Sequence, residues 1–190
     1  MLLGLSPVRL SFAGGGTDMP EFYEEYGGCV VSSTINHFTY VIANPRNDDF
    51  VQVFSPDFEA YNKPEKFENL VAKKGTDFPV SIIKYLEFKN GINLMISSDV
   101  PPSSGLGSSS SLAVNIVNVI SKLKKKKLSR LEICEIAHHV EKNIIKFPLG
   151  KQDEYISAFG GFNYIKFSKN NIEVKPYSFK LTDDSSDVTL

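Results

Sequence analysis

The segment of this sequence best suited to chemistry spans residues 99–111 and reads Asp-Val-Pro-Pro-Ser-Ser-Gly-Leu-Gly-Ser-Ser-Ser-Ser. Gly105 and Gly107 can adopt positive φ angles, which lets the backbone approach a ligand closely. If a helix begins directly after them, its unpaired N–H groups and the positive end of its dipole point at an anion. Polyphosphate would be a natural ligand for such a loop. A flexible Ser/Gly linker is the alternative, but a linker does not lie directly between a strand and an apolar helical stripe.

The two widespread nucleotide-binding motifs do not describe this segment. The sequence contains no G-x-x-x-x-G-K-[ST], and neither of its glycine clusters gives G-x-G-x-x-G. It therefore predicts a phosphate loop of a different type.

Apolar periodicity predicts the elements that would position this loop. Val8, Leu10 and Phe12 alternate with polar residues, as in a half-buried strand, which would carry Arg9 on its polar face and stop at the glycines 14–16. Runs rich in β-formers predict further strands at residues 29–33, 38–43 and 50–54, which look like an antiparallel sheet. From the strand at residues 92–96 the chain changes to α/β alternation, and later strands are predicted at residues 162–167 and 172–174.

Three helices are predicted from apolar residues at helical spacing. Asp77 would cap the first, the second would run from Leu112 to Leu123, and Ser129 with Glu132 would form a capping box for the third. The inward-facing positions predicted for the third helix are Leu131, Cys134, Ala137, Val140 and Ile144.

Glu141 leans towards the inner side of this third helix. A carboxylate there is costly unless it binds something. A surface salt bridge is the alternative interpretation.

Three segments together resemble the GHMP kinases, the superfamily of galactokinase and of homoserine, mevalonate and phosphomevalonate kinases. The stretch Pro101-Pro-Ser-Ser-Gly-Leu-Gly-Ser-Ser-Ser110 is similar to the family's phosphate motif P-x-x-x-G-L-G-S-S-A, with Ser110 in place of the usual alanine. Residues 7–18 resemble the first family motif, and their Gly-Gly-Gly-Thr-Asp form is typical of heptose-phosphate kinases. Residues 150–155, followed by residues 158–161, support the same subgroup.

The resemblance implies a fold and a set of roles. It predicts the family's α+β amino-terminal domain, a sheet backed by helices, over residues 1–180, and the start of a missing carboxy-terminal domain at residues 181–190. Asp153 would be the catalytic base and Arg9 its cationic neighbour, while Ser108 and Glu141 would bind Mg²⁺. The ATP-binding residues would be Pro101, Ser103, Ser104, Gly105, Leu106, Gly107, Ser108, Ser109 and Ser110. The acceptor-binding residues would be Gly16, Thr17, Asp18, Lys151 and Gln152.

Several of these residues also have plain structural interpretations. Asp153 could be a helix N-cap, and Asp18 could form an Asx turn after the glycines. Lys151 and Gln152 could be an ordinary solvated pair. The three histidines lack metal-ligand spacing and are expected to be structural or exposed.

The implied activity is ATP-dependent phosphorylation of a sugar or sugar phosphate, with the anomeric hydroxyl of a heptose 7-phosphate as the leading acceptor. Other sugar kinases of the superfamily, acting on galactose, fucose or a uronic acid, are the alternatives within enzymes. A non-catalytic fragment that binds nucleotide or sugar phosphate is the alternative of another class.

The composition is consistent with this small-molecule function. The 190 residues carry 21 Lys and Arg against 22 Asp and Glu, so the net charge of −1 gives no field that would attract nucleic acid or an anionic membrane. Two cysteines, Cys29 and Cys134, are too few for a disulfide framework, and both are expected to be buried free thiols in a cytoplasmic protein. No uncharged run approaches the ~18 residues of a membrane span.

Overall fold

Helices pack against one face of a mixed β-sheet in the computed structural model, which describes residues 1–58 and 60–177. Along the first strand, Ser6 and Val8 are buried beneath the helices, whereas Leu3 and Leu5 lie exposed on the opposite face. This is the sheet backed by helices that the sequence predicts. The expected start of a second domain at residues 181–190 lies outside the described residues.

The strands account for about half of the elements. They are β1 (Leu2–Ala13), β2 (Gly28–Pro45), β3 (Phe50–Ser55), β4 (Ala60–Tyr61), β5 (Glu65–Lys66), β6 (Ile92–Ser98), β7 (Phe162–Ser168) and β8 (Asn171–Tyr177).

The α-helices are α1 (Pro20–Tyr26), α2 (Asp77–Tyr85), α3 (Ser108–Leu123), α4 (Arg130–His139) and α5 (Gln152–Phe159). Helix α4 continues directly into a wider π-helical turn at Val140–Ile145, and short 3₁₀ turns lie at Pro56–Phe58 and Phe67–Asn69.

The sheet has the order β4-β3-β6-β2-β7-β8, and β1 pairs with β2 on the side away from β6 and β7. All pairs are antiparallel except β3 with β6, which is parallel. The antiparallel pairing predicted for the strands before residue 55 is confirmed for β1 with β2, and the parallel pair lies at the predicted change to α/β alternation. Parallel strands need a long crossover, and the segment that contains α2 supplies it.

A single long strand, β2, replaces the two strands predicted at residues 29–33 and 38–43. Its pairing with β1 is interrupted, because Arg9 lies opposite Thr34 whereas Pro7 lies opposite Phe38. Such a bulge re-aims the side chains around it. Arg9 lies directly beside it.

Polar residues of α3 fasten the helix to β1 and β2. The Ser111 hydroxyl donates to the carbonyl of Ser6 at 3.0 Å, and the Asn115 amide donates to the carbonyl of Thr39 at 2.8 Å. Gly4 admits this close approach, since a Cβ there would lie 2.2 Å from Asn115 Oδ1. These contacts, together with buried Ile116 and its apolar neighbours, fix where the first turn of α3 lies.

The helix ends confirm some predicted details and correct others. The Ser129–Glu132 capping box is present. Thr76, not Asp77, is the N-cap of α2, and Asp77 is the first helical residue. Leu131 and Ile144, predicted to face inward, are exposed. Leu131 lies in the first turn of α4, and Ile144 lies in the π-helical turn, whose wider winding departs from the helical spacing on which the prediction rests.

The two cysteines differ in burial. Cys134 is buried, as predicted, and burial raises the pKa of its thiol. The prediction is wrong for Cys29, which is exposed, because strand alternation turns its neighbour Val30 into the core. Within residues 1–58 and 60–177, no helix is long and apolar enough to cross a membrane.

Candidate active site

The predicted phosphate loop connects β6 to α3. Three of its residues have positive φ angles: Ser103 (62°), Gly105 (76°) and Gly107 (69°). Gly107 is the N-cap of α3, and no side chain caps that helix end. The first amides of α3 are therefore left for a ligand, which is the arrangement that binds phosphate groups.

A cavity of about 400 Å³ opens beside this loop. Its walls combine loop residues with β6 and with the first turn of α2, where Phe78 and Pro79 supply apolar surface. Ser103, Ser104, Gly105, Gly107, Ser108 and Ser109 line its phosphate side. A cavity with an apolar wall and an amide-rich end suits a nucleotide.

Arg9 and Asp153 form a two-pronged ion pair next to the loop. Arg9 Nε donates to Asp153 Oδ1 and Nη2 donates to Oδ2, each at 2.7 Å. The remaining guanidinium nitrogen, Nη1, donates to the carbonyl of Gly105 at 2.6 Å, and the Arg9 amide donates to the carbonyl of Leu106 at 2.9 Å. The bidentate geometry fixes the orientation of the carboxylate relative to the phosphate loop.

The protonation of Asp153 reflects opposing influences. Burial raises the pKa of its carboxyl above the usual range, whereas the hydrogen bonds and charge of Arg9 act in the opposite direction. The pKa of Asp153 is raised overall, and its ionised carboxylate is therefore a better proton acceptor than that of an exposed aspartate.

Glu141 lies fully buried at the start of the π-helical turn, a type of irregularity common at functional sites. Its Oε1 accepts a hydrogen bond from the Ser110 hydroxyl at 3.1 Å, while its Oε2 has no partner within the described part of the chain. Burial and the neighbouring carboxyl of Glu154 raise the pKa of Glu141 well above its usual range.

An unpartnered buried carboxylate oxygen beside a phosphate loop fits a divalent cation, which would satisfy the oxygen and favour the ionised form. No cluster of three or more acidic, histidine or cysteine side chains within residues 1–58 and 60–177 could hold a metal. A single carboxylate such as Glu141 can be sufficient for Mg²⁺, which commonly takes its remaining ligands from water and phosphate. Ser110, rather than Ser108, is the hydroxyl in contact with Glu141, and Ser108 lines the cavity.

The first motif and the aspartate segment meet at Asp18. Its Oδ1 accepts from the Gly16 amide and its Oδ2 from the Gln152 amide, each at 3.0 Å. The Lys151 amide donates to the Asp18 carbonyl at 3.2 Å. Thr17 stabilises the same loop, because its hydroxyl donates to the Gly14 carbonyl at 2.8 Å and accepts from the Cys29 amide at 3.0 Å.

The two remaining predicted acceptor residues have polar partners of their own. Lys151 Nζ contacts both carboxylate oxygens of Glu135 at 2.8 Å, so its charge is already paired. The Gln152 side-chain carbonyl accepts from the Ser11 hydroxyl at 2.8 Å, which places Gln152 on the same side as the first motif.

One buried polar pair escaped the sequence analysis. His138 Nδ1 lies 2.8 Å from Glu154 Oε1, and this contact ties α4 to α5. Burial lowers the pKa of His138 to about 4 and raises that of Glu154 well above its usual range. The signal was available for His138, which precedes Glu141 by three positions and so shares its helix face.

Comparisons with known proteins identify the family of this chain. Residues 72–161 match the family described as "GHMP kinases N terminal domain". The chain is 32% identical over 185 residues to a D-glycero-alpha-D-manno-heptose 7-phosphate kinase of Campylobacter jejuni, covering 92% of this chain and 53% of that protein. It is 28% identical over 168 residues to a galactokinase of Actinobacillus succinogenes, covering 84% of this chain and 42% of the relative.

A solved structure titled as a D-glycero-D-manno-heptose 1-phosphate kinase from Bacteriodes thetaiotaomicron superposes with a TM-score of 0.89 at 26% identity, covering 95% of this chain and 61% of that one. The chain thus spans about half the length of the curated relatives that it matches. Fold and family match agree, and the chain belongs to the GHMP kinase family, of which it carries the N-terminal domain.

Proposed function

We propose that this chain is the ATP-binding and catalytic part of a sugar-phosphate kinase, which transfers the γ-phosphoryl group of ATP to the anomeric hydroxyl of a heptose 7-phosphate. The carrying observation is the Arg9–Asp153 pair, which is hydrogen-bonded to the phosphate loop at Gly105. It puts a candidate base and a cation next to the place where a terminal phosphate would lie. The name of the Campylobacter jejuni relative, a heptose 7-phosphate kinase, supports the choice of a heptose 7-phosphate as acceptor.

The proposed reaction follows from that geometry. The acceptor hydroxyl oxygen bonds to the γ-phosphorus, the bond from this phosphorus to the β–γ bridging oxygen breaks, and ADP leaves. The hydroxyl proton passes to Asp153. The amides at the start of α3 and the Arg9 guanidinium stabilise the charge on the transferring group, and stabilising that charge while holding the reactants in line is most of phosphoryl-transfer catalysis.

Magnesium would be held by Glu141 together with the predicted Ser108 hydroxyl, and when bound it would neutralise phosphate charge. Glu141 itself is oriented by Ser110. On the acceptor side, we propose that Gly16, Thr17 and Gln152 face the sugar, with Lys151 near its phosphate. Because Lys151 is paired with Glu135, an acceptor phosphate would have to compete with that carboxylate.

A galactokinase is the second candidate, favoured by two galactokinase relatives that are each 28% identical to this chain over 84% and 82% of its length. A panel of sugars and sugar phosphates at fixed Mg-ATP discriminates the two. The panel is run on residues 1–190 and on the chain together with any sequence that follows it in its gene. We expect heptose 7-phosphate to be the preferred acceptor, and preference for free galactose would contradict this.

The same panel tests whether residues 1–190 are sufficient for phosphoryl transfer. We propose that a carboxy-terminal half completes the cleft, so residues 1–190 alone should bind Mg-ATP but turn over slowly, because positioning of the phosphoryl group is incomplete. Equal turnover of the short and long chains would contradict that proposal. Mg-ATP binding without phosphorylation of any acceptor by the longer chain would favour a non-catalytic binding module.

The Glu141→Gln variant tests the metal assignment. We expect ATP binding to need about tenfold or more additional Mg²⁺, because the one buried anionic ligand is lost while the Ser110 hydrogen bond can persist. Calorimetric titration of ATP at several Mg²⁺ concentrations measures this, with metal-free ATP binding as the internal control. An unchanged Mg²⁺ requirement would return Glu141 to a purely structural role.

A further inference from the structure

Asp18 is buried where the first motif meets the aspartate segment, and only 2% of the residue is exposed. Each of its carboxylate oxygens accepts a backbone N–H bond, one from Gly16 and one from Gln152. Such a carboxylate has lone pairs left, but little room for a sugar hydroxyl to approach them. This differs from the acceptor-binding role that the motif resemblance suggests.

The contact with Gln152 lies at the start of α5. Lys151 is the N-cap of this helix, and its side chain makes no capping hydrogen bond. Asp18, from a distant part of the chain, caps the helix instead, because its carboxylate accepts a hydrogen bond from the backbone amide of Gln152 in the first turn. Negative charge at this end also interacts favourably with the helix dipole. Asp153 is the next residue along that turn.

Gly150 shows how tightly the carboxylate is enclosed. A Cβ built on Gly150 would lie 2.0 Å from Asp18 Oδ2 and 2.4 Å from its Cγ. The Lys151 amide adds a hydrogen bond to the Asp18 carbonyl, so backbone and side chain of Asp18 hold the same turn. Asp18 thus holds residues 150–152 against the first motif, and we call these contacts the Asp18 clasp.

We propose that Asp18 is a positioning residue that fixes the first turn of α5, and through it the catalytic carboxylate of Asp153, rather than a direct ligand of the acceptor sugar. Arg9, on β1, orients the side chain of Asp153. Asp18, in the loop after β1, orients the backbone of the turn that carries Asp153. Two anchors from one motif therefore set the base against the phosphate loop.

The consequence is kinetic as well as structural. Displacing a catalytic group by about 1 Å can cost about a hundredfold in rate. Loss of the Asp18 clasp should therefore lower kcat while leaving the acceptor KM near the parent value. Loss of a sugar ligand would instead raise the acceptor KM.

The test uses Asp18→Asn and Asp18→Ala, with Gly150→Ala as a variant that keeps the carboxylate but crowds it. Asparagine retains one acceptor oxygen, so it should keep one of the two amide bonds, whereas alanine keeps neither. We expect kcat to fall about tenfold to a hundredfold for asparagine and further for alanine, with acceptor KM within about twofold. Gly150→Ala should reproduce the loss of kcat.

Amide hydrogen exchange on residues 1–190 gives a readout that needs no catalysis. We expect the amides of Gln152 and Gly16 to exchange about tenfold or more faster in Asp18→Ala. Unchanged exchange would overturn the clasp, and a tenfold rise in acceptor KM with unchanged kcat would overturn the positioning role. The kinetic arm rests on the proposed function; if the parent phosphorylates no acceptor, that function fails, whereas the exchange arm still decides whether Asp18 holds the turn.

Discussion

Asp153→Asn is expected to lower turnover by about 100- to 10,000-fold while ATP affinity stays within a few-fold of the parent value. Asparagine has nearly the shape of aspartate but cannot take the acceptor proton. Its side-chain oxygen can still accept one hydrogen bond from Arg9, so Arg9 and the phosphate loop should keep their arrangement. Steady-state kinetics with the preferred acceptor, together with calorimetry for ATP, measures both quantities.

A second arginine–aspartate pair in the same chain provides the control. Arg46 and Asp48 are also joined by two hydrogen bonds, including one of 2.6 Å from Arg46 Nε to Asp48 Oδ1, but they lie on the turn between β2 and β3, outside the cavity. Asp48→Asn should change turnover little. If Asp153→Asn keeps turnover within a few-fold of the parent, Asp153 is not the base.

The phosphate loop could be predicted from sequence because its signal is local. Gly105 and Gly107 are positions that need positive φ, and they are flanked by a strand of period two and by an apolar stripe of helical period. Each of these features depends on residues within a few positions. The structure accordingly confirms the positive φ angles of both glycines, the strand before them and the helix after them, whereas phosphate binding by this loop stays a prediction.

Pairings between distant residues could not be predicted from such patterns. Arg9 and Asp153 are 144 positions apart, and no local feature of either segment names the other. The motif resemblance brought the two together, and the structure gives the geometry. The partner of β6 could not be predicted for the same reason, since strand periodicity contains no information about which strand pairs with which or in what direction.

The contacts of Glu141 show a finer limit. That Glu141 faces inward could be predicted from helical spacing, but its hydroxyl partner could not. Successive serines at the start of α3 point in directions about 100° apart, so the partner depends on how the helix is rotated when it docks. Helix docking selects Ser110, and docking depends on buried Ser111 and Asn115. The sequence pattern does not predict which backbone groups the polar residues within an apolar stripe will hydrogen-bond.

Gly107→Val is expected to abolish measurable ATP binding. Gly107 has a φ of 69°, which a β-branched residue resists. A Cβ at this position would lie 3.0 Å from Asp153 Oδ2 and 3.3 Å from Arg9 Cγ, so the substitution should also displace the Arg9–Asp153 pair. The valine methyl groups would enter the space in front of the first amides of α3, where the phosphates are proposed to bind.

Lost binding must be separated from lost folding, and Gly27→Val makes that separation possible. Gly27 has a similar φ of 73° but ends α1, outside the cavity, where the nearest atom to an added Cβ is 3.9 Å away. Both variants should lose thermal stability from the strained backbone, since such a conformation costs roughly 1–3 kcal/mol. Only Gly107→Val should lose ATP affinity by calorimetry. If Gly107→Val binds ATP as tightly as Gly27→Val does, residues 99–107 are not the phosphate loop, because a side chain at the N-cap of α3 would then stand clear of the bound phosphates.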